Sequence, residues 1–419
     1  GWLSLAGCSA PSDTAPVELR FWAIGAEGEY LSELLAPFHD RNPDIRVRVQ
    51  QIPWKAAHEK LLTAFAGGAL PDICQLGNTW IPEFVALDAV SPLDARLRAS
   101  RQIPRGDYFP GIWSTNVIHG VLYGIPWYVD TRILFYRRDM LAEAGVSTIP
   151  RTWEDWRGAM ERIQARMPER SYAILLPTNE WEQLIALGLQ SPRSILRDQD
   201  RYGNFQSPDF RRACKFYVGL FKDGLAPKIS ADEIANAWDE LARGRYAMYI
   251  TGPWNIGEFR KRMSADVVAR WSTAPLPGPQ PPGPGGSLAG GCSLVIFRHT
   301  KHEEAAWRLV EYLSEPATQL SLFERLGDLP ARQSAWDDPR LARDSWIPGF
   351  REQLLRAVPA PPCPEWEQIV TKCQETAERM IRGGLDLDEG LRQLNRGVDR
   401  ILEKRRWMLA RSMPREVVP

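Results

Sequence analysis

Four short segments set an indole beside a carboxylate, amide or hydroxyl. They are Pro126-Trp127-Tyr128-Val129-Asp130, Thr178-Asn179-Glu180-Trp181-Glu182, Gly252-Pro253-Trp254-Asn255 and Gly77-Asn78-Thr79-Trp80. That pairing suits a polyhydroxylated ligand. The ring covers an apolar C–H face while planar polar groups take neighbouring hydroxyls in pairs. The chain holds 17 Trp beside 11 Tyr and 14 Phe, an excess that packing alone seldom needs, because each buried indole N–H wants a partner. Taken singly, any one of these tryptophans is more often core than platform. It is the recurrence of four such clusters at loop positions that points to a binding surface.

Catalytic patterns are missing from the sequence. It has no G-x-S-x-G nucleophile turn, no Walker A loop, no dinucleotide G-x-G-x-x-G and no H-E-x-x-H. The histidines at 39, 58, 119, 299 and 302 form no ligand spacing, so no metal and no cofactor are expected. Asp198 to Gly203 faintly echoes a calcium loop, but Tyr202 stands where an oxygen ligand belongs, and a polar hairpin is the better reading. Two acids distant in sequence can still meet for glycoside hydrolysis, so that chemistry stays open. The cysteines at 8, 74, 214, 292, 363 and 373 include no C-x-x-C pair. Cys363 and Cys373 could close one loop, or all could be buried free thiols.

The elements that must carry these residues follow from hydrophobic period. Residues 17–24 and 45–52 alternate as strands, and residues 29–41 and 55–66 repeat at helical spacing. A short strand, 73–76, completes a β-α-β-α-β order. After it come strands at 133–136, 172–176 and 246–251. Helices are expected at 152–166 (Thr152 capping, Asp155 answering), 181–190, 209–222 and 231–243. The run Pro-Leu-Pro-Gly-Pro-Gln-Pro-Pro-Gly-Pro-Gly-Gly at 275–286 can only be a loop or crossover. A strand at 293–297 and a helix at 302–313 lead into a helical remainder. That remainder ends in an amphipathic stretch, 387–409, with Lys404, Arg405, Arg406 and Arg411 on its solvated side.

Bulk properties fit this plan. A chain of 419 residues, 44% hydrophobic and 25% charged, is globular and long enough for two or three domains. Its 52 basic side chains cancel 52 acidic ones, which leaves no field to hold a polyanion and argues against nucleic acid as a partner. No apolar run approaches the ~18 residues needed to span a bilayer.

Leu5-Ala6-Gly7-Cys8 resembles a bacterial lipobox, with Cys8 as the lipidated residue and a small polar tether behind it. Leu19-Arg20-Phe21-Trp22 with residues 38–43, Leu70-Pro71-Asp72-Ile73, Tyr123-Gly124-Ile125-Pro126 through Asp130, Phe135-Tyr136-Arg137-Arg138-Asp139, Ala247-Met248 through Trp254, and Leu329-Pro330-Ala331-Arg332 together resemble the sugar-binding, maltose/trehalose-binding-like solute-binding proteins of bacterial ABC transporters. The resemblance covers about residues 17–400.

It implies an α/β, two-lobed periplasmic-binding-protein fold. Each lobe would be a mostly parallel sheet flanked by helices, with a multi-strand hinge and a ligand cleft between lobes. The implied division is 1–16 as lipobox remnant and tether, 17–127 plus 287–318 as the N-terminal lobe, and 128–286 plus 319–419 as the C-terminal lobe. The implied ligand-binding residues are Tyr128 and Asp130 on sugar hydroxyls, Trp254 and Trp181 as stacking faces (Glu180 beside the latter), and Arg332 as a fork onto two hydroxyls. Glu27, with Glu29 as competitor, His58, Asn78, Gly291 and Trp366 complete the set. The chain departs from relatives at Asn78, where they often offer a carboxylate, and at Cys292, where some carry an aromatic. The expected activity is binding of an α-linked disaccharide or short oligosaccharide, of maltose or trehalose type, without catalysis. The protein would be a monomeric lipoprotein of the periplasm or cell envelope, held to the membrane by its lipid anchor alone, and would deliver the sugar to an ABC permease. The alternatives are a secreted glycoside hydrolase and a solute-binding protein for a non-sugar ligand.

Overall fold

The computed structural model describes residues 15–191 and 195–412, so Cys8 lies outside the described residues. Ten strands build two sheets. They are β1 (Val17–Ile24), β2 (Ile45–Ile52), β3 (Ile73–Gly77), β4 (Ile125–Asp130), β5 (Ile133–Arg137), β6 (Tyr172–Leu175), β7 (Tyr246–Thr251), β8 (Trp271–Ala274), β9 (Gly290–Ile296) and β10 (Leu329–Pro330). The first sheet runs β10-β4-β9-β3-β1-β2 and the second β8-β5-β7-β6.

Both sheets are mixed rather than mostly parallel. β1 is parallel to β2 and β3, but β9 lies antiparallel to β3 and β4, and β10 antiparallel to β4. In the second sheet only β6 and β7 are parallel. The cause is connectivity. A strand reached by a helical crossover within its own lobe arrives parallel, whereas β9 returns from the other lobe and enters from the opposite end.

The chain passes between sheets at Thr131-Arg132, again between β8 and β9, and a third time after β10. The third lies well beyond residue 318, because β10 still pairs with β4 and Trp336 packs edge-on against Phe109 of the first lobe. Only with Ile347–Leu354 does the chain rejoin the second sheet, where Thr273 Oγ1 donates to the Trp346 carbonyl (2.5 Å) and Gln353 Oε1 accepts from the Leu276 N–H (2.7 Å). Tyr128 and Asp130 consequently belong to the first sheet.

The helices that matter for the cleft are α1 (Glu27–Leu34), α2 (Trp54–Ala66), α3 (Trp153–Gln164), α4 (Glu182–Gly188), α5 (Trp254–Arg262), α6 (Pro316–Leu326) and α7 (Trp366–Ile381). The single helix expected at 29–41 breaks after Leu34, because Pro37 cannot donate to the preceding turn and instead starts a new helix, Ala36–Arg41. Thr152 caps α3 by accepting the Asp155 N–H. The expected helix at 231–243 shrinks to a 3-10 turn (Ala231–Glu233) and the short helix Ala237–Ala242. At the C-terminus the expected continuous helix splits into Leu387–Ile401 and Glu403–Ser412. Its basic cluster is not wholly solvated: the Arg405 side chain is 11% exposed and 3.9 Å from Glu365, and Arg406 donates to the Arg201 carbonyl.

An apolar core runs through the first lobe from Phe21 and Trp127 and continues across the junction to Phe135, Trp271 and Phe350. A second core, with Trp156, Tyr217 and Trp366, fills the far lobe. Cys74, Cys214, Cys292, Cys363 and Cys373 are all buried free thiols, so the loop between 363 and 373 is not closed by a disulfide. Residues 196–203 form the expected hairpin. Among the described residues no helix is long and apolar enough to cross a membrane.

Candidate functional site

Sheet geometry collects polar groups on one edge of each lobe. The carboxyl ends of β1, β3 and β4 and the amino ends of the antiparallel β9 and β10 share an edge, the usual ligand position in open α/β sheets. Facing it are Arg132 ahead of β5, the turn after β6 that carries Trp181, and the turn after β7 that carries Trp254. Between the two edges lies a cavity of about 1360 Å3, larger than the roughly 300–1,000 Å3 of a drug-sized pocket.

Of the sequence-derived candidates, Glu27, Asn78, Tyr128 and Gly291 line this cavity from the first lobe. Asp130 lies at the junction, and Trp181 and Trp254 contribute from the second lobe. Glu29 also reaches the wall. His58, Arg332 and Trp366 do not. His58 shares a hydrogen bond with Glu83 (2.6 Å) and packs on Trp80, one layer behind the wall. Arg332 is buried in the first lobe against Asp107 (2.5 Å). Trp366 is core, edge-on to Trp181, and it is the next residue, Glu367, that faces the cavity. Trp127 is fully buried against Phe21.

The floor is a connected polar network. Gln75, fully buried at the middle of the sheet edge, donates through Nε2 to Glu27 Oε1 (3.0 Å) and Tyr128 Oη (2.9 Å), and the Tyr128 hydroxyl donates to Cys292 Sγ (3.2 Å). Burial pushes the Glu27 carboxyl and the Tyr128 hydroxyl above their ordinary ranges. Asn78 is likewise committed, donating to the Gly290 carbonyl (3.1 Å) and accepting from Ser293 Oγ (2.9 Å). It therefore fixes the start of β9. There Gly291 adopts φ +108°, and a Cβ would press on the Tyr128 carbonyl and come within 2.9 Å of Val129 Cα. The backbone of Gly290 and Gly291 thus approaches the cavity with no side chain in between.

Arg132 lines the cavity and is a candidate that the sequence reading missed. Its Nη1 donates to both oxygens of Asp130 (2.9 and 3.1 Å), its Nη2 donates to Glu182 Oε1 (2.8 Å), and its guanidinium lies 4.8 Å from the Trp254 ring centroid. One cation on the inter-lobe link therefore orients a carboxylate from each side and a stacking face. Burial raises the Asp130 carboxyl and Arg132 opposes that. On the opposite wall, half-exposed Trp54 meets Trp80 edge-on. Across the cleft, Thr79 Oγ1 donates to Glu367 Oε1 (3.0 Å), whose carboxyl burial raises. Asp328, just before β10, is the second missed residue. Nothing signals it except its place beside the Leu329-Pro330 turn.

Together the walls offer aromatic faces, fixed carboxylates, a shared guanidinium and exposed backbone, which suits hydroxyl-rich ligands. Among the described residues no group of three His, Cys, Asp or Glu side chains is arranged to hold a metal ion.

Residues 22–320 match the family model described as bacterial extracellular solute-binding protein. The chain is similar in structure to the sugar-binding protein MalE of the phytopathogen Xanthomonas citri, with 47% identity, a TM-score of 0.90, and coverage of 95% of this chain and 100% of that one. It is 27% identical to an uncharacterized lipoprotein of Streptomyces antibioticus, over 88% of this chain and 84% of the relative. It is 22% identical to the galactooligosaccharide-binding protein of Bacillus subtilis, over 93% and 92% respectively.

Proposed function

The chain belongs to the bacterial extracellular solute-binding proteins, and on that premise we propose that it binds an α-linked disaccharide or short oligosaccharide, of maltose or trehalose type, for import. The observation that carries this reading is the inter-lobe cavity of about 1360 Å3, where partly exposed Trp254 lies against Arg132 with its partners Asp130 and Glu182, and partly exposed Trp54 lines the opposite wall. Stacking faces from both lobes let one sugar touch both. Contact with both is what a ligand needs to favour the closed form, since it shifts an equilibrium only by its preference for one state.

In this reading Tyr128 and Asp130 recognise hydroxyls, Trp254 and Trp181 supply apolar faces, and Glu27 and the backbone at Gly291 complete the floor. The protein hands its sugar to an ABC permease, works as a monomer anchored through lipid on Cys8, and uses no cofactor. It binds without catalysis. The similarity to a sugar-binding MalE supports the sugar reading, and that to a lipoprotein supports the lipid anchor.

Titration of the purified protein with maltose, maltotriose, trehalose and glucose, followed by tryptophan fluorescence, is expected to give a saturable shift with the larger sugars. Trp254→Ala should weaken that binding by about 1–3 kcal/mol through lost stacking and burial without unfolding the protein, since the ring is 38% exposed. Affinity equal to wild type would remove Trp254 from the site. The hydrolase alternative predicts shortened products after incubation, and the binding reading predicts none.

A further inference from the structure

The cleft floor carries more acid than its cations neutralise. β10 pairs Leu329 with Val129 and Pro330 with Tyr128, so one step earlier in the register Asp328 stands beside Asp130 on the same face. Glu27 reaches the same floor from the turn after β1. The guanidinium nearest to Asp130, that of Arg132, is already divided between Asp130 and Glu182. Asp328 is nine-tenths buried, lines the cavity, and has an Oδ2 with no hydrogen-bond partner. Like charges placed opposite each other on neighbouring strands destabilise a sheet, and a buried ionised carboxylate without partners costs far more. Both costs fall if Asp328 keeps its proton, and a protonated carboxyl with one unused oxygen is a ligand group.

We propose that Asp328 contacts the ligand as a neutral carboxylic acid, donating its O–H to an acceptor oxygen of the sugar. The inference rests on the sugar-binding reading above and adds to it a residue and its protonation state. Burial, reinforced by Glu27 and Asp130, holds the Asp328 carboxyl well above the usual carboxylate range. The other groups facing it are Tyr128 of β4 and Cys292 of β9. Arg325 at the end of α6 is turned away to Glu33 (3.1 Å). Raising the pH through the titration of Asp328 removes the donor, so affinity for a neutral sugar falls by up to roughly tenfold per pH unit beyond it.

The test is a maltose titration of wild type, Asp328→Asn and Asp328→Ala from pH 5 to pH 9, with thermal unfolding of the ligand-free proteins over the same range. Wild-type affinity should fall as pH rises. Asp328→Asn, whose amide donates at every pH, should bind with a flat profile, and Asp328→Ala should lose about tenfold at pH 6. Without ligand, an acid whose folded pKa is raised loses stability with rising pH, so the melting midpoint of Asp328→Asn should gain on wild type between pH 6 and pH 9. A wild type that binds maltose with no pH dependence, or an Asp328→Ala that binds as tightly, overturns the proposal and leaves the sugar reading intact. No saturable binding of maltose, maltotriose or trehalose by wild type at any pH overturns the sugar reading, and the proposal falls with it.

Discussion

The guanidinium of Arg332 is enclosed by its own lobe. Nε donates to Asp107 Oδ2 (2.5 Å), Nη1 donates to the carbonyls of Gln102 (3.0 Å) and Ser314 (3.1 Å), and the Tyr108 ring lies 5.5 Å away. Asp107 also takes the Ser334 N–H and hydroxyl, and its carboxyl sits below the ordinary range despite burial, held there by Ser334 and Arg332. Arg332→Ala would leave that carboxylate without its cation. Chemical denaturation should show a loss of about 3–5 kcal/mol, while the folded protein keeps its sugar affinity. A weakened affinity at unchanged stability would return Arg332 to the ligand. Arg132 has the same side chain and the opposite setting, since its partners line the cleft. Sequence alone does not separate two such arginines, because what distinguishes them is which carboxylate waits within reach.

At the scale of elements, legibility follows how local the cause is. β1 and β2 form where alternation places them, and α3 starts at the Thr152 cap, because period and capping depend on neighbours in the chain. The antiparallel entry of β9 is not local. It depends on a long excursion through the second lobe, as does the pairing that brings Asp328 beside Asp130. Trp254 stands out in the sequence because it follows a run that reads as a strand, and Asp130 because the segment around it carries the family resemblance. Arg132 and Asp328 sit in short links with no period to mark them. The first turn of β9 carries its own test. Gly291→Ala must adopt a left-handed φ and crowd the Tyr128 carbonyl, which should cost about 2–5 kcal/mol in denaturant. A loss below 0.5 kcal/mol would mean that the strand start moves freely, and with it the cleft floor.

Across the whole molecule, two polar side-chain contacts among the described residues reach from the first lobe's cleft wall to the second. Lys55 and Asp232 meet at 3.7 Å but are exposed, and such a pair adds little. Thr79 on Glu367 is the stronger tie, since the bond is part-buried and burial raises the Glu367 carboxyl. Thr79→Val should therefore weaken sugar binding about 2- to 10-fold, by removing a hydrogen bond that joins the two lobes over the cleft. Fluorescence titration reads this directly, and affinity equal to wild type would show that the tie does not favour closure. The place of β9 has a consequence for how the protein is made. It fills the gap between β3 and β4, yet at roughly 5–20 residues per second the ribosome reaches it on the order of ten to thirty seconds after β4. Through that interval the first lobe has a sheet with its middle missing and cannot set. That order of strands makes completion of the first lobe wait for synthesis of most of the second.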